Sequence, residues 1–319
     1  MPAAIRLRAS RVTQKTLDQY QYQISLFHTW AAKQRIKVTT QNLDSKVVRY
    51  LAFLHEMEDA EPRVGAYLIY GLQLLRCTVP KSQFLPNAKE ALISWKKLRP
   101  GAMQLPAPEE ILFDILMEVG RTRLDLMLLG LLQFDACMRP GETLSLRKEH
   151  VVPPAGARYS KWSVIVKLSD MGERTKTGTA DDSVVVGDTH DRKWMTRVMA
   201  HLYTSASDRL FPSVTLATFE KALAAASKKL RYSAVIVQPH VIRHSSASND
   251  AFFKRRDLRE IQKRGRWAAR GSVSRYEKHG LMMRQWKFVA KDRLKQVQTA
   301  TSRLVSFLNT RLNGINSRS

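Results

Sequence analysis

Residues 122–146 read TRLDLMLLGLLQFDACMRPGETLSL, and their order decides the fold class of the larger part of the chain. The segment 122–136 has the pattern of an apolar helix. Its longest apolar stretch, Leu124 to Phe134, carries Asp125 and is too short to span a bilayer. Pro140 stops this helix, because proline has no N–H to give to the helical ladder, and a short helix through Leu144 and Leu146 follows. Between the two lies Met138-Arg139-Pro140-Gly141-Glu142, a turn that sets an arginine and a carboxylate at the end of an apolar element.

Upstream, the chain repeats the helical period. Leu17, Tyr20, Ile24, Phe27 and Ala31 recur at three- and four-residue spacing, so 13–34 reads as one amphipathic helix. Val47, Val48, Leu51 and Leu54 follow Asp44, which reads as an N-cap. Arg63–Cys77 and Lys89–Leu98 complete four helices. Arg99-Pro100-Gly101 breaks the pattern, and Pro106 and Pro108 extend the break into a linker near 100–108. Downstream of a helix at 109–119 and the quoted stretch, Trp162–Leu168 and Ser183–Val186 are β-branched runs that read as a small hairpin. The connection Ser169–Asp182 is long and polar. Helices return at about 191–205, 216–231, 240–254 and 257–264. A last helix is expected over 283–309, with Trp286, Val289, Leu294, Val297, Leu304 and Leu308 on one stripe. The organisation is therefore mainly α: a helical domain at 1–104, a mostly helical domain with a small antiparallel sheet at 105–280, and a basic amphipathic tail at 281–319.

With 319 residues and 44% hydrophobic composition, each half can bury a core of its own. The 53 Lys and Arg against 28 Asp and Glu leave +25, a charge that resists compaction unless a polyanion is present. The charge is uneven: net +9 over 1–104, +2 over 105–250 and +14 over 251–319. Two basic arms thus flank a nearly neutral body, which points to nucleic acid; a ribosomal or membrane-surface role is the plainer rival. Cys77 and Cys137 sit far apart with no metal-ligand spacing, as in a reducing compartment. The first sixteen residues lack the apolar core of a secretory signal. Their Arg6, Arg8, Arg11 and Lys15, with no acid, suit an organelle transit segment or a basic arm on DNA.

Four places carry chemistry. They are the Arg139 turn, with Glu142; Thr175-Lys176-Thr177-Gly178, between the two expected strands; His240-Val241-Ile242-Arg243-His244-Ser245, opening a helix after Pro239; and Gly265-Arg266-Trp267, with Tyr276 nine residues beyond the tryptophan. Singly, each has an ordinary explanation. Arg139 suits a surface ion pair, Lys176 a solvated loop, His240 and Arg243 a pair on one helical face, and Trp267 and Tyr276 a rim of the core. In this order and on these elements they resemble the tyrosine recombinase (phage-integrase) family. Its pattern is an arginine in an Arg-x-Gly-Glu turn, a lysine on a β-hairpin, His-x-x-Arg on a helix, then His or Trp, then Tyr. Arg243, Trp267 and Tyr276 also keep the family's spacing, 24 and then 9 residues. The segment Thr16–Trp30 resembles the family's N-terminal domain. The chain departs from the commonest form in having Trp267 in place of His, and Arg264-Gly265-Arg266 in place of Leu-Gly-His.

The resemblance implies a fold, a core-binding (SAM-like) helical domain followed by the family's catalytic domain, and a chemistry. Tyr276 would attack a DNA phosphodiester and form a covalent 3′-phosphotyrosyl bond. Arg139 and Arg243 would hold the non-bridging oxygens with paired donors that never lose their charge. His240 would add a donor or take the tyrosine proton, and Lys176 would protonate the leaving 5′ oxygen. Trp267 would donate through its indole N–H and buttress the site, and Glu142 would hold an arginine in place. Neither metal, cofactor nor ATP enters, since the phosphotyrosyl ester keeps the energy of the cut strand. The partners implied are double-stranded DNA and further copies of the chain, a homotetramer on two DNA sites, with no membrane. Such a chain would work in a prokaryotic cytoplasm or a eukaryotic nucleus. Two other readings stay open on the sequence: a DNA-binding protein of the same fold with reduced chemistry, and a type IB topoisomerase-like enzyme, which would act on DNA as a monomer.

Overall fold

The computed structural model describes residues 9–76, 80–101, 105–168, 182–232, 237–267 and 279–316, the last four of these through their backbone alone. The chain forms two compact units, Met1–Met103 and Gln104–Ser319.

In the first unit, α1 spans Gln14–Lys33, α2 Leu43–Glu56, α3 Pro62–Arg76 and α4 Pro86–Leu98. Thr13 starts α1 by accepting the Thr16 N–H at 3.3 Å. The apolar face read from the sequence is buried: Leu17, Ile24, Phe27 and Ala31 enter the core with Trp30, Val47, Leu51 and Leu68. Tyr50 packs 5.0 Å from the Trp30 ring and edge-on to Phe27 at 5.4 Å. Gly65 lets α3 pass close by, since a Cβ there would lie 2.6 Å from Leu51 and 2.9 Å from Trp95.

Asp44 does not cap its own helix, which begins at Leu43 with Asn42 at the cap position. Its carboxylate instead accepts the backbone N–H of Asn87 at 3.1 Å and of Ala88 at 2.9 Å. Those are donors that the first turn of α4 leaves unpaired. With Pro86 at its first turn, α4 begins three residues before the predicted Lys89. Cys77 lies outside the described residues.

In the second unit, α5 spans Glu109–Gly120, α6 Leu124–Asp135, α7 Pro140–Leu144, α8 Met195–Ser205, α9 Leu216–Lys229, α10 Pro239–Phe252 and α11 Leu258–Arg264. The sheet contains β1 (Val151–Val152), β2 (Trp162–Ile165) and β3 (Ser183–Val186), antiparallel in the order β1-β2-β3. Val164 pairs with Val151 on one side and Val184 on the other. β1 was not anticipated; two residues carry no readable alternation. β2 is shorter than the predicted Trp162–Leu168, although the Val166 N–H still donates to the Asp182 carbonyl at 2.8 Å. The quoted apolar helix is central to the core: Leu126, Met127, Leu128, Leu129, Leu131, Leu132 and Phe134 are each at most 1% exposed.

The C-terminal segment differs from the single helix expected over 283–309. It is broken into α12 (His279–Arg284), 3-10 turns at Gln285–Phe288 and Lys291–Arg293, α13 (Leu294–Gln298) and α14 (Ala300–Asn316). Val289 and Ala290 are extended between the pieces. The reason is geometric. In one straight helix Trp286 and Leu308 would stand roughly 33 Å apart, whereas the whole of α5, on which α14 packs, is about 18 Å long. The breaks fold the stripe back, so that Val289, Val297, Leu304 and Leu308 enter the same core as α5 and α6, with Trp286 and Leu294 against it. The segment read as a separate tail is thus part of the second unit. Asp114 of α5, 2% exposed, fastens it by pairing with Arg293 at 2.5 Å and Arg303 at 3.2 Å.

Candidate active site

The site is built where helices end. After α6, Cys137 takes a left-handed conformation (φ +50°). Its N–H bonds back to the Phe134 carbonyl and that of Met138 to the Gln133 carbonyl, a reversal that usually employs glycine. The chain is then extended at Arg139 and restarts at Pro140 as the first residue of α7. Proline favours both: it disfavours helix in the residue before it and fits the first helical position. Glu142, one turn on, accepts the Arg139 N–H at 2.7 Å and pairs with Arg139 Nη1 at 2.5 Å.

α10 carries His240 and Arg243 on one face. His240 is exposed and Arg243 is 4% exposed. Arg243 is held between two helix ends: Nη1 donates to the Cys137 carbonyl at 2.9 Å, and Nη2 to the Gly265 carbonyl. Both carbonyls lie just past the C-termini of α6 and α11, where carbonyls lack helical partners and a cation is favoured. The guanidinium also lies 4.7 Å from the centroid of the Trp267 ring. Trp267 packs on the small cluster of Cys137, Ala247 and Ile261. Gly265 is required for this, because a Cβ there would fall 2.0 Å from the indole. Arg266 takes the left-handed position (φ +53°) in a reversal like that at Cys137, its N–H bonding to the Lys263 carbonyl and that of Trp267 to the Gln262 carbonyl.

The charges meet at Glu142. Its Oε2 lies 2.5 Å from Arg266 Nη2 and 3.8 Å from Arg243 Nη1. Three guanidiniums on one carboxylate leave the cluster positive, suited to an anion. Burial works against the Glu142 charge, but Arg266 and Arg139 outweigh it and hold the carboxyl below its ordinary value. Burial, with the Arg266 and Arg139 charges, presses Arg243 downward from its usual value. An arginine stays charged under such a shift.

Behind the site runs a buried ion network that the sequence reading did not find. Arg192, 1% exposed, pairs with Asp250 at 2.7 Å, and Asp135 and Glu109 each lie 3.7 Å from it. Arg256 joins Asp250 to Asp188. Arg264 donates to the Asp135 carbonyl at 2.7 Å, which ties α11 to the end of α6. The one available signal was the departure Arg264-Gly265-Arg266: both arginines turn inward, with side chains 8% and 5% exposed.

The structure thus brings Arg139, Glu142, Arg243 and Trp267 together, with His240 one helical turn before Arg243. Lys176 and Tyr276 lie outside the described residues. A lysine that the sequence reading passed over, Lys167 just beyond β2, reaches the α7 turn: its Nζ is 3.3 Å from Ser145 Oγ. Ser145 Oγ in turn donates to the Glu142 carbonyl at 2.9 Å. Among the described residues no group of three or more His, Cys, Asp or Glu side chains could hold a metal ion, and no helix is long and apolar enough to cross a membrane.

No family model matches the sequence, and no curated protein matches it. Solved structures do. A crystal structure of XerA recombinase is 17% identical, over 88% of this chain and 94% of that one, with a TM-score of 0.37. The XerH site-specific recombinase bound to a palindromic difH substrate, in a post-cleavage complex, is 16% identical over 88% of this chain and 78% of its own, with a TM-score of 0.49. The pre-cleavage complex of XerH with difH is 16% identical over 74% and 75%, with a TM-score of 0.38. The chain is similar, at low identity and over most of its length, to solved recombinases.

Proposed function

We propose that this chain is a site-specific DNA recombinase that cuts and rejoins strands through a covalent bond to Tyr276. The observation that carries the reading is the convergence of Arg139, Arg243 and Trp267, far apart in sequence, on one positive site beside His240. A phosphodiester placed there would meet two preorganised guanidiniums where charge develops in the transition state. Tyr276 Oη attacks phosphorus and gives up its proton, with His240 as acceptor or as a further donor to the phosphate. The 5′ oxygen leaves with a proton from a lysine, and the tyrosyl ester conserves the bond for attack by a 5′-hydroxyl of a second duplex. Balance requires neither an external nucleophile nor ATP. Double-stranded DNA is the substrate, and the productive assembly is a homotetramer on two sites, working within the cell.

Lys176 is the proton donor that the sequence pattern proposes. A second reading, Lys167, is favoured by its contact with the α7 turn. A suicide assay with pools of nicked duplex, scored for covalent protein–DNA adducts, tests the whole. Tyr276→Phe should abolish adducts and leave DNA binding nearly unchanged; adducts that persist would remove Tyr276 from the mechanism. Of Lys176→Ala and Lys167→Ala, the true donor's variant should slow cleavage by about 100-fold or more and recover on a substrate whose leaving atom is sulfur, which needs no proton. A chain that binds DNA but forms no adduct on any pool would be a binding protein of this fold.

A further inference from the structure

We propose that Arg266 is a positioning residue for Arg139: by occupying Glu142, it keeps the Arg139 guanidinium available to an anion. This rests on the reading that Arg139 and Arg243 hold a phosphodiester.

A lone arginine beside a lone carboxylate tends to form a two-pronged pair that uses both oxygens and cancels both charges. Arg139 and Glu142, three residues apart across the start of α7, are placed to do so. They do not. Arg139 Nη1 reaches only Oε1, because Oε2 is taken by its own backbone N–H at 2.7 Å and by Arg266 Nη2 at 2.5 Å. The pair is held one-pronged, and the rest of the Arg139 fork is left toward solvent, with 26% of its side chain exposed. Arg266 also changes the total. Without it, Arg139, Arg243 and Glu142 carry one net positive charge; with it they carry two. That charge is delivered from a backbone position that disfavours arginine. The left-handed conformation suits glycine or asparagine, and the side chain of Arg266 is 5% exposed. Other basic residues of this chain, Arg35, Arg231 and Lys254, hold left-handed helix ends, but they are exposed. Arg266 alone among these turns its charge inward onto a carboxylate that already belongs to another arginine.

The same strain supplies a clean test. Arg266→Gly removes the guanidinium and installs the residue that the turn prefers, so it should melt at or above the wild-type temperature. Arg266→Asn is a second variant on the same logic. In the nicked-duplex adduct assay, each should slow the rate at saturating DNA by about 10- to 100-fold. The DNA concentration giving half-maximal rate should move by less than about 3-fold, well short of what losing a direct phosphate donor would do. Arg266→Lys should restore part of the rate. The decisive arm is the pair Arg266→Gly with Glu142→Gln. Glutamine can still accept the Arg139 N–H but carries no charge to cancel, so the double variant should be faster than Arg266→Gly alone. If it is no faster, Arg266 is only a brace for Glu142 and the proposal falls, as it does if Arg266→Gly cleaves like wild type. A wild-type chain that forms no adduct would instead overturn the functional reading itself, and the role of Arg266 with it.

Discussion

Removing residues 290–319 should unfold the second unit rather than trim a tail. Val297 and Leu304 are 0% exposed, Leu308 1% and Leu312 5%. Each such side chain contributes about 1.5–3 kcal/mol by burial, so the four together contribute about 6–12 kcal/mol. The deletion also strips Arg293 and Arg303 from Asp114, leaving a buried carboxylate with the Tyr232 hydroxyl at 2.8 Å and neither guanidinium. An unpaired buried charge adds to the loss. A domain is typically stable by only about 5–15 kcal/mol, so the sum exhausts it. The comparison is a urea titration followed by circular dichroism, with limited proteolysis alongside, on residues 1–289 and on the full chain. The truncated chain should lose the cooperative transition of the second unit and be cut readily between 105 and 289. Leu304→Ala gives a graded version, costing about 2.7–5 kcal/mol as other buried leucines do. A truncated chain that melts cooperatively near the wild-type midpoint would refute the reasoning. It would mean that these side chains do not hold this core together in solution and that the segment is free to dock elsewhere, on a neighbouring copy for instance.

The remaining expectations concern charges. Asp250→Asn should destabilise the second unit by about 3–5 kcal/mol, because it leaves Arg192 buried without its nearest partner; a loss under about 1 kcal/mol in denaturant would show that the network is dispensable. Glu142 has its carboxyl depressed below the ordinary 4.5, so its contribution to stability is fully present above that value and is lost as pH falls through the folded value. Glu142→Gln should therefore flatten part of the acid limb of an unfolding titration, and parallel limbs for variant and wild type would contradict it. Arg243→Lys should lower both the melting temperature and the adduct rate, whereas Arg139→Lys should lower the rate with little change in melting; the reverse ranking would mean that the two arginines have been given each other's work.

The helices were legible because their apolar residues repeat at the helical period, and the structure places most boundaries within a few residues of the predicted ones. Four features were not legible, each for a physical reason. The stripe Trp286–Leu308 has apolar residues on both sides of the extended Val289 and Ala290, and periodicity does not register the backbone change there that turns the stripe around. Cys137 and Arg266 terminate reversals normally signalled by glycine, so these sharp turns carried no composition cue. Arg192, Asp250 and Asp135 are charged, and charge in a sequence reads as surface unless the partner is known; here Arg192 and Asp250 lie 58 residues apart. Asp44 sits beside its own helix start and serves another. The candidate site was legible as residue types in an order. That order named Glu142 as the partner of one arginine; what it could not supply was that three arginines share this carboxylate, or that Lys167 reaches Ser145.

The two arginines named from the pattern divide the labour in a way that only their surroundings reveal. Arg243 is almost wholly buried, and its fork closes two helix ends at once while its face lies against Trp267. A lysine could carry the charge but could not bridge two carbonyls and stack on an indole. Position 243 is therefore structural and chemical together: the group that would meet a phosphate also fixes where α6, α10 and α11 stand relative to each other. Arg139 has the opposite setting. It is the more exposed of the two, is anchored among the described residues by Glu142, and sits at the mouth of a short helix whose capping does not depend on its guanidinium. The site thus pairs a rigid cation, fixed by the fold, with an adjustable one, fixed by a carboxylate. A phosphodiester entering between them could be gripped by the first and met by the second, with Glu142 as the ion that Arg139 leaves when the substrate arrives.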